Sequence, residues 1–293
     1  MWKEQYSRHL SHTSDSDLVT RREDVLINLL SFTEDGYPKF DKSIITKPFL
    51  ERLNLINEEM RQRSKTLFSN LLDNPSIYQK EYPNIQRAIK AWENRELTMG
   101  EYLIKFGKLK HLSAMINQGK IRLNSASFYG DFPNNAICDQ ELVQNWTLPK
   151  GTKLYRSDSG EYKEISGIKN ISLKKNSPTD FYIYSMARLY QHRLFDDFEA
   201  DACLVVYDLK KFFSRLLGFL KIHYPNWLFK SGDIKYYDPL FPSPYNVHFS
   251  KEMRFWYQCE YRIVVMPEIS TDELHPVDIE IGELKDCSYL ISL

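Results

Sequence analysis

Side chains able to take part in catalysis or ligand binding interrupt the apolar, strand-like runs of residues 181–265. Ser185 stands at the end of one run, Arg193 stands close to an acidic pair, and Glu260 opens another run. At joints with a purely structural role we would expect variable polar residues. This arrangement therefore predicts a functional site and leaves its reaction open.

Glu260 begins an otherwise apolar strand in the segment YQCEYR, residues 257–262. The strand backbone can fix a carboxylate there while its oxygens face a cleft. Such a group can bind a ribose hydroxyl or stabilise a developing oxocarbenium ion. The alternative is an ion pair between Glu260 and Arg262 at the surface or at a sheet edge, which contributes little to stability.

Two further local groups accompany this glutamate. Lys105 and Phe106 end a short apolar strand, and Arg122 follows on the next strand after a predicted helix. Tyr184 and Ser185 end a strand of aromatic and branched residues. These residue types suit the binding of a charged, partly aromatic ligand.

Three acidic residues have structural and functional interpretations. Asp196 and Asp197 follow Arg193 by three and four residues, so a helix places them on its face. Either they form a structural ion pair with Arg193, or they belong to the lip of a pocket that recognises an acceptor. Asp238, before Pro239, lies in a predicted turn and is an alternative second carboxylate.

Several well-known signatures are absent from the sequence. It contains no GxxxxGK[ST], no GxGxxG after a strand, no HExxH and no GxSxG. The four cysteines are widely spaced and the seven histidines do not cluster at metal-ligand spacing, so reduced, buried thiols are expected rather than zinc. These patterns argue against a P-loop nucleotidase, a metallohydrolase and a serine hydrolase.

Length and composition predict a folded protein that neither spans a membrane nor is attracted to its surface. The chain has 293 residues, of which 42% are hydrophobic, and its 39 basic and 39 acidic residues cancel. General attraction to nucleic acid or to an anionic membrane is therefore not predicted. No apolar run approaches the roughly 20 residues that span a bilayer, and the N-terminus lacks the apolar core of a signal peptide. We expect a cytoplasmic protein.

The periodicity of apolar residues divides the chain near residue 98. Residues 1–98 predict three helices: one capped by Ser16 or Asp17, one from Pro48 through Leu67 and Leu71 to an Asn74–Pro75 stop, and one over 83–96. This region is either a helical cap or an arm that docks a partner protein.

Residues 99–293 mix strands and helices. Strands are predicted at 102–106, 120–125, 152–156, 164–173, 180–186, 202–207, 233–237, 260–266, 277–281 and 288–292. Helices are predicted at 108–118 (ended by Gly119), 188–198, 209–220 and 250–257, with a helix or ordered loop at 134–145. The expected fold is α+β, an N-terminal helical region followed by a mixed, mainly antiparallel split sheet.

The order of motifs between about 102 and 266 resembles a family of uncharacterised bacterial proteins found near phage-defence genes. The matching segments are KFGKLKHLSAMINQGKIRLNS, FYIYSMA, RLFDDFEADACLVV, YYDP and YQCEYRIVV. That family is in turn distantly similar to the ADP-ribosyltransferases, which carry His or Arg on a first core strand, an aromatic residue or Ser on a middle strand, and Glu on a late strand. The resemblance leaves residues 1–98 unexplained.

The resemblance implies a set of residues that act on NAD. Tyr184, Ser185 and Glu260 would be the catalytic group, with Tyr184 or Phe106 stacked on nicotinamide. Lys105 stands where His or Arg is expected, and a lysine does not reproduce a planar guanidinium. The cofactor-binding set is therefore expected to comprise Lys105, Phe106, Arg122 and Arg156.

The function that follows is a bacterial defence or toxin-type effector that cleaves NAD and modifies a protein or nucleic-acid acceptor. Two alternatives stay open: a nuclease, and a non-catalytic sensor or interaction protein of a defence system. Residues 210–230 interleave lysines and aromatics, as nucleic-acid surfaces do. The same pattern also describes an amphipathic helix whose lysines reach past a buried face.

Overall fold

The computed structural model describes residues 10–11, 13–40, 47–63, 81–93, 95, 101–148, 154–158, 160–167, 171–239 and 245–293. The described α-helices are α1 Asp15–Ile27, α2 Lys47–Arg63, α3 Ile85–Trp92, α4 Leu109–Gln118, α5 Leu194–Asp197 and α6 Leu209–His223. The described strands are β1 Leu30–Phe32, β2 Pro38–Phe40, β3 Leu103–Gly107, β4 Lys120–Ser125, β5 Val143–Thr147, β6 Leu154–Asp158, β7 Glu161–Ile165, β8 Ser172–Asn176, β9 Tyr182–Ala187, β10 Ala202–Val206, β11 Leu228–Asp233, β12 Lys235–Tyr237, β13 Ser250–Glu252, β14 Glu260–Met266, β15 Val277–Glu280 and β16 Ser288–Ser292.

An antiparallel sheet forms the centre of the fold, with strand order β11-β14-β9-β3-β10-β16. Strand β4 pairs with β9 and carries β15 on its other side. Within the described chain, the β12–β13 pair is parallel. These helices and mainly antiparallel strands confirm the predicted α+β class.

The sheet splits along one edge of β9. Strand β3 pairs with β9 through Ile104 and Ala187. Strand β4 pairs with the opposite end of β9, where Asn124 lies across from Ile183. The backbone of Ser185 lies between these two pairings, so the strands diverge beside it. This divergence opens a cleft at the middle of the sheet.

Alternation along the strands gives the sheet two different faces. On β9, Tyr182, Tyr184 and Met186 pack into one core cluster, where α6 buries Phe212 and Leu216. Helix α4 covers the same face through its own apolar side chains. Successive strand residues point to opposite faces, so Ser185 belongs to the other face. Leu209–His223 thus agrees with the predicted amphipathic helix.

Gly119 ends α4, as predicted from its position. Its φ is 70° and its N–H bonds the carbonyl of Met115 at 2.8 Å. The Gly119 Cα faces the backbone of Gly282, where a side chain has no room. Both the left-handed conformation and the close approach require glycine here.

The N-terminal helices differ from expectation in their limits. Ser14, rather than Ser16 or Asp17, caps α1, since its hydroxyl accepts the N–H of Asp17 at 3.1 Å. Helix α3 is shorter than the predicted 83–96. The predicted Leu67, Leu71 and Asn74–Pro75 end of the second helix lies outside the described residues.

A hairpin of β1 and β2 was not predicted within this region. It turns at residues 33–37, where Gly36 has φ 82°. The prediction of helices alone for residues 1–98 is therefore incomplete. Strands β1 and β2 have three residues each and are too short to show a periodic apolar pattern.

The N-terminal elements pack against the sheet domain. The Asn28 side chain donates to the Met253 carbonyl at 3.0 Å and accepts the Tyr257 N–H at 2.8 Å. Trp92 of α3 stacks on Tyr190 with ring centroids 3.9 Å apart. These contacts agree with the hypothesis of a helical cap.

Several predicted elements of the sheet domain have other limits. The predicted strand 164–173 is two strands, β7 and β8, and the predicted helix 188–198 contracts to α5. The 134–145 stretch contains the start of β5, and the predicted 250–257 helix is β13 followed by a 3-10 helix, Met253–Gln258. None of the described helices is long and apolar enough to cross a lipid bilayer.

Candidate functional site

The pairing of β9 with β14 brings a serine, an arginine and a glutamate onto one face. Ser185 lies directly opposite Arg262, and Ala187 lies opposite Glu260. Side chains two residues apart share a face, so Glu260 and Arg262 project beside Ser185. The register of the two strands thus brings Ser185 next to Glu260 and Arg262. Ser185 lies 75 positions before Glu260 in the sequence, whereas Glu260 and Arg262 are two residues apart on one strand.

Glu260 is a buried carboxylate with three donors. Its Oε1 accepts the Ser185 hydroxyl at 2.6 Å and the Arg262 Nε at 2.7 Å. Its Oε2 lies 3.4 Å from the ammonium of Lys251. Burial by itself raises the pKa of this carboxyl, but the attraction of Arg262 and Lys251 outweighs burial and lowers the pKa to about 2. Glu260 is therefore ionised at neutral pH.

The backbone before Glu260 is held in an unusual conformation. Cys259 has φ 44° and ψ 51°, in the left-handed region that favours glycine. The Glu260 N–H donates to the Tyr236 hydroxyl at 2.8 Å, and the Cys259 carbonyl accepts the Arg188 N–H at 2.8 Å. These bonds fix the turn that delivers Glu260 to the first position of β14.

Arg262 connects Glu260 to a second carboxylate, Glu141. Its two terminal nitrogens bond the Glu141 oxygens at 2.7 and 2.9 Å, and its side chain is 0% exposed. Both carboxylates raise the pKa of Arg262 against the effect of burial. The Glu260–Arg262 pair is therefore deeply buried, and the alternative of a surface or edge ion pair is wrong.

Lys251 joins the same network from β13. Its ammonium lies 3.8 Å from Glu141 and 3.9 Å from Asp139, and it donates to the Gln258 side chain at 3.3 Å. Burial opposes its charge, but the surrounding carboxylates raise its pKa. Burial also raises the pKa of Glu141, to about 7, despite the attraction of Arg262. Sequence reasoning missed Glu141, Lys251 and Asp139.

Lys105 occupies the split between β3 and β4. Its ammonium donates to the Ser185 carbonyl at 2.8 Å and lies 4.5 Å from the centroid of the Tyr184 ring. No carboxylate of the described residues lies at ion-pair distance from it. Burial lowers its pKa to about 8, partly opposed by Glu260. The ammonium thus closes the gap in the sheet without a counter-ion.

A cavity of about 250 Å³ opens onto these groups. Its polar lining consists of Lys105, Asn124, Glu141, Ser185, Lys251, Gln258 and Glu260. Its aromatic lining consists of Phe106, Phe128, Tyr129, Phe132 and Phe198. A concave, mostly apolar pocket with a few convergent polar groups is the usual form of a small-molecule site.

Four of the sequence-predicted residues line this cavity: Lys105, Phe106, Ser185 and Glu260. Tyr184 does not. Its ring lies in the core cluster of the opposite face, and its hydroxyl donates to Met115 Sδ at 3.2 Å. The expected stacking of Tyr184 on a bound ring is wrong, because its ring packs in the core on the face of β9 opposite to Ser185.

The two arginines expected at the site also lie elsewhere. Arg122 is on the exposed side of β4, where it pairs with Asp278 at 3.5 Å. Arg156 is an exposed residue of the β6–β7 hairpin. Neither lines the cavity. Lys105 and Lys251 are the cations that the fold places there instead.

The other acidic candidates have structural partners outside the cavity. Arg193 and Asp197 form a buried pair at 2.7 Å, and Asp196 accepts the side chain of Asn84 at 2.8 Å. Asp238 binds Arg21 at 3.0 Å and Arg52 at 2.7 Å beside a smaller cavity of about 60 Å³.

Two basic residues of α6, Lys211 and Arg215, are engaged as well. Arg215 forms two bonds to Asp286, at 2.8 and 2.9 Å, and Lys211 lies between Asp208 and Asp286. The buried side of the helix carries Phe212 and Leu216. This arrangement favours the amphipathic-helix interpretation over a nucleic-acid surface.

No group of three or more His, Cys, Asp or Glu side chains in the described part of the chain is arranged to hold a metal ion. Comparison with protein-family models, curated proteins and solved structures finds no match to this chain. The chemistry of the cavity must therefore be argued from its own residues.

Proposed function

We propose that this protein binds NAD in the Glu260 cavity and cleaves the bond between nicotinamide and ribose, acting as a bacterial defence or toxin-type effector. One observation carries the proposal. An ionised carboxylate, fixed by Ser185, Arg262 and Lys251, faces a pocket lined by aromatic rings and an uncompensated ammonium. The carboxylate can stabilise the oxocarbenium ion that forms when a cationic N-glycoside is cleaved, and the rings and the ammonium suit its aromatic and anionic parts.

The size of the cavity suits one half of the dinucleotide. Its volume of about 250 Å³ lies just below the roughly 300–1,000 Å³ of typical pockets for drug-sized ligands. The nicotinamide ring and its ribose would occupy the cavity, with the adenylate half outside. The aromatic side chains Phe106, Phe128 and Phe132 would contact the ring.

Glu260 would act through its charge rather than by proton transfer. As the C1′–N bond breaks, the electron pair goes to the nicotinamide nitrogen and positive charge develops on the ribose carbon. A carboxylate already fixed next to that carbon stabilises the charge without reorganisation. A pKa of about 2 makes Glu260 a weak base at neutral pH. The acceptor's oxygen or nitrogen then bonds C1′ and releases its proton to solvent.

Ser185 and Lys105 would have supporting roles. The Ser185 hydroxyl holds Oε1 of Glu260 at 2.6 Å, so Oε2, beside Lys251, would bind a ribose hydroxyl. The Lys105 ammonium would attract the pyrophosphate as a point charge. A protein or nucleic-acid acceptor, and a partner protein bound through residues 1–98, complete this proposal.

An NAD titration tests the proposal. We expect NAD to raise Tm, because at a concentration of 100 Kd it adds about 2.7 kcal/mol to the free energy of unfolding. We also expect free nicotinamide to appear on prolonged incubation. The absence of both effects at millimolar NAD would contradict the proposal. Binding to RNA or DNA alone, with a steep salt dependence, would favour the nucleic-acid alternative.

A further inference from the structure

Asn124 and Tyr129 form a polar pair in the wall of the same cavity. Asn124 is on β4, and Tyr129 ends the short 3-10 helix Ser127–Tyr129 that follows the strand. The amide nitrogen of Asn124 donates to the Tyr129 hydroxyl at 3.3 Å. Both side chains line the cavity.

This pair is left with unused hydrogen-bonding capacity. The amide oxygen of Asn124 is buried and has no hydrogen-bond partner among the described residues. The Tyr129 hydroxyl accepts one bond and donates to no described atom, while burial raises its pKa and keeps the phenol protonated. Exchanging the amide's oxygen and nitrogen reverses the roles but still leaves at least one donor and at least one acceptor unused. A buried amide oxygen without a partner is unfavourable, so a ligand that pairs with it gains affinity.

The pair stands close to the carboxylate along the sheet. Asn124 lies opposite Ile183, two residues before Ser185 on β9, so Asn124 and Ser185 share a face. Ser185 in turn binds Glu260. A ligand next to Glu260 therefore extends towards Asn124, and the broad terminal torsion of an asparagine allows either amide atom to turn to it.

The neighbouring side chains define the chemical class of that ligand. Phe128 lies between Tyr129 and Phe132, with ring centroids 5.5 and 5.4 Å away, beside the polar pair. A planar aromatic ring that carries one acceptor and one N–H donor matches these surroundings. We infer that Asn124 and Tyr129 recognise the primary carboxamide of an aromatic ligand. Where that ligand is NAD the inference rests on the proposed function, and the pair distinguishes nicotinamide from nicotinic acid.

Four ligands and three variants test the inference. Nicotinamide, nicotinate, NAD and ADP-ribose are titrated against the wild type, Asn124→Leu, Tyr129→Phe and the control Tyr182→Phe. The Tyr182 hydroxyl bonds the His275 carbonyl on the opposite side of the sheet, so its loss is a matched change away from the cavity. Thermal melts establish that each variant folds.

We expect the wild type to bind nicotinamide at least about tenfold more tightly than nicotinate, the value of one hydrogen bond. Asn124→Leu and Tyr129→Phe should each weaken nicotinamide and NAD by about tenfold and leave ADP-ribose within about threefold, since ADP-ribose lacks the carboxamide. Tyr182→Phe should behave as the wild type.

The outcomes separate the two proposals. If the wild type binds NAD, and Asn124→Leu and Tyr129→Phe bind NAD and nicotinamide as tightly as the wild type does, the carboxamide inference is wrong and NAD binding stands. If nicotinamide binds selectively but NAD and ADP-ribose do not, the proposed function is wrong and the carboxamide inference stands. Failure of all four ligands to bind overturns both.

Discussion

Ser185 and Arg262 face each other across the β9–β14 ladder and donate to the same carboxylate oxygen, Oε1 of Glu260. One bond comes from a neutral hydroxyl and the other from a guanidinium, so together they fix both the orientation and the charge of Glu260. Among the described residues, the opposite oxygen has a single long contact, of 3.4 Å to Lys251. In the proposed mechanism, Oε2 is therefore the oxygen that binds the ribose hydroxyl.

Glu260→Gln removes the charge but keeps the shape of the side chain. We expect nicotinamide release to fall by about 10²–10³-fold, the usual effect of losing one electrostatic contact to a transition state. Stability should also fall, because Arg262 loses part of its charge compensation while buried. Product formation over time and urea unfolding measure the two effects.

Asp197→Asn is the matched control for that variant. It neutralises another buried carboxylate, bonded to Arg193 at 2.7 Å and outside the cavity. We expect lower stability with nicotinamide release within about threefold of the wild type. Equal loss of activity in both variants would mean that Glu260 acts through the fold.

Ser185→Ala removes one of the two strong donors to Oε1 while leaving the ion pair intact. Loss of a hydrogen bond to a charged group costs about 1.5–3 kcal/mol, so we expect turnover to fall by about 10–100-fold. Ser288→Ala, which removes a buried hydroxyl bonded to the Leu284 carbonyl at 2.8 Å, is the control. A Ser185→Ala enzyme with full activity would contradict the positioning role.

The ionisation of Glu260 predicts loss of stability in acid. Its folded pKa of about 2 lies below the ordinary value of about 4.3, so the unfolded state binds more protons between these two values. The resulting stabilisation is complete above pH 4.3 and is lost as pH falls towards 2. Carbon-13 NMR of the Glu260 carboxyl should show no inflection between pH 6 and 3. A midpoint near 4.3 would contradict the network.

The pKa of Glu141 shifts in the direction opposite to that of Glu260. Burial raises its folded pKa to about 7, so between pH 4.3 and 7 the folded state retains a proton that the unfolded state releases. Its contribution therefore weakens as pH rises through that window. The Glu141 carboxyl signal should titrate near neutral pH, and a midpoint near 4 would exclude this effect.

Lys105 should be a reactive amine. With a pKa of about 8 it is about half neutral at pH 8, whereas an ordinary lysine is less than about 1% neutral. We expect a small acylating reagent to modify Lys105 with a midpoint near pH 8, and NAD to protect it. Peptide mass spectrometry compares it with Lys120, whose side chain is 50% exposed. Labelling that NAD does not slow would place the ligand elsewhere.

The left-handed residue before Glu260 gives a further prediction. A β-branched side chain fits less well than cysteine at φ 44°, so Cys259→Val should lower the stability of the fold, whereas Cys259→Gly, which removes the Cβ, should not. Glu199, with φ 52° and far from β14 in sequence, provides the same pair of substitutions as a control. If only the Cys259 variant lowers nicotinamide release, the turn positions Glu260.

Local patterns were sufficient to predict much of the fold. Apolar alternation located β4, an apolar run opened by Glu260 located β14, helical periodicity located α4 and α6, and Gly119 marked the end of α4. These features depend on contacts between near neighbours along the chain, so the sequence carries their signal. The mixture of elements was enough to predict an α+β protein with a split antiparallel sheet.

The site itself depended on strand register and on buried charge. Sequence alone selected Lys105, Phe106, Ser185 and Glu260, which line the cavity, but also Tyr184, Arg122 and Arg156, which do not. Strand alternation is visible in the sequence and indicates that Tyr184 and Ser185 point to opposite faces of β9, although near the split in the sheet the neighbours Lys105 and Phe106 both reach the cavity.

No local pattern marks Glu141 or Lys251 as partners of Glu260. Glu141 lies 121 positions from Arg262, in a loop without periodicity, and their pairing exists only because the folded chain removes both from water. The sequence thus determined which strands form and which groups are available for chemistry. Only the tertiary structure decided which charges are buried together, because that choice depends on long-range packing and desolvation.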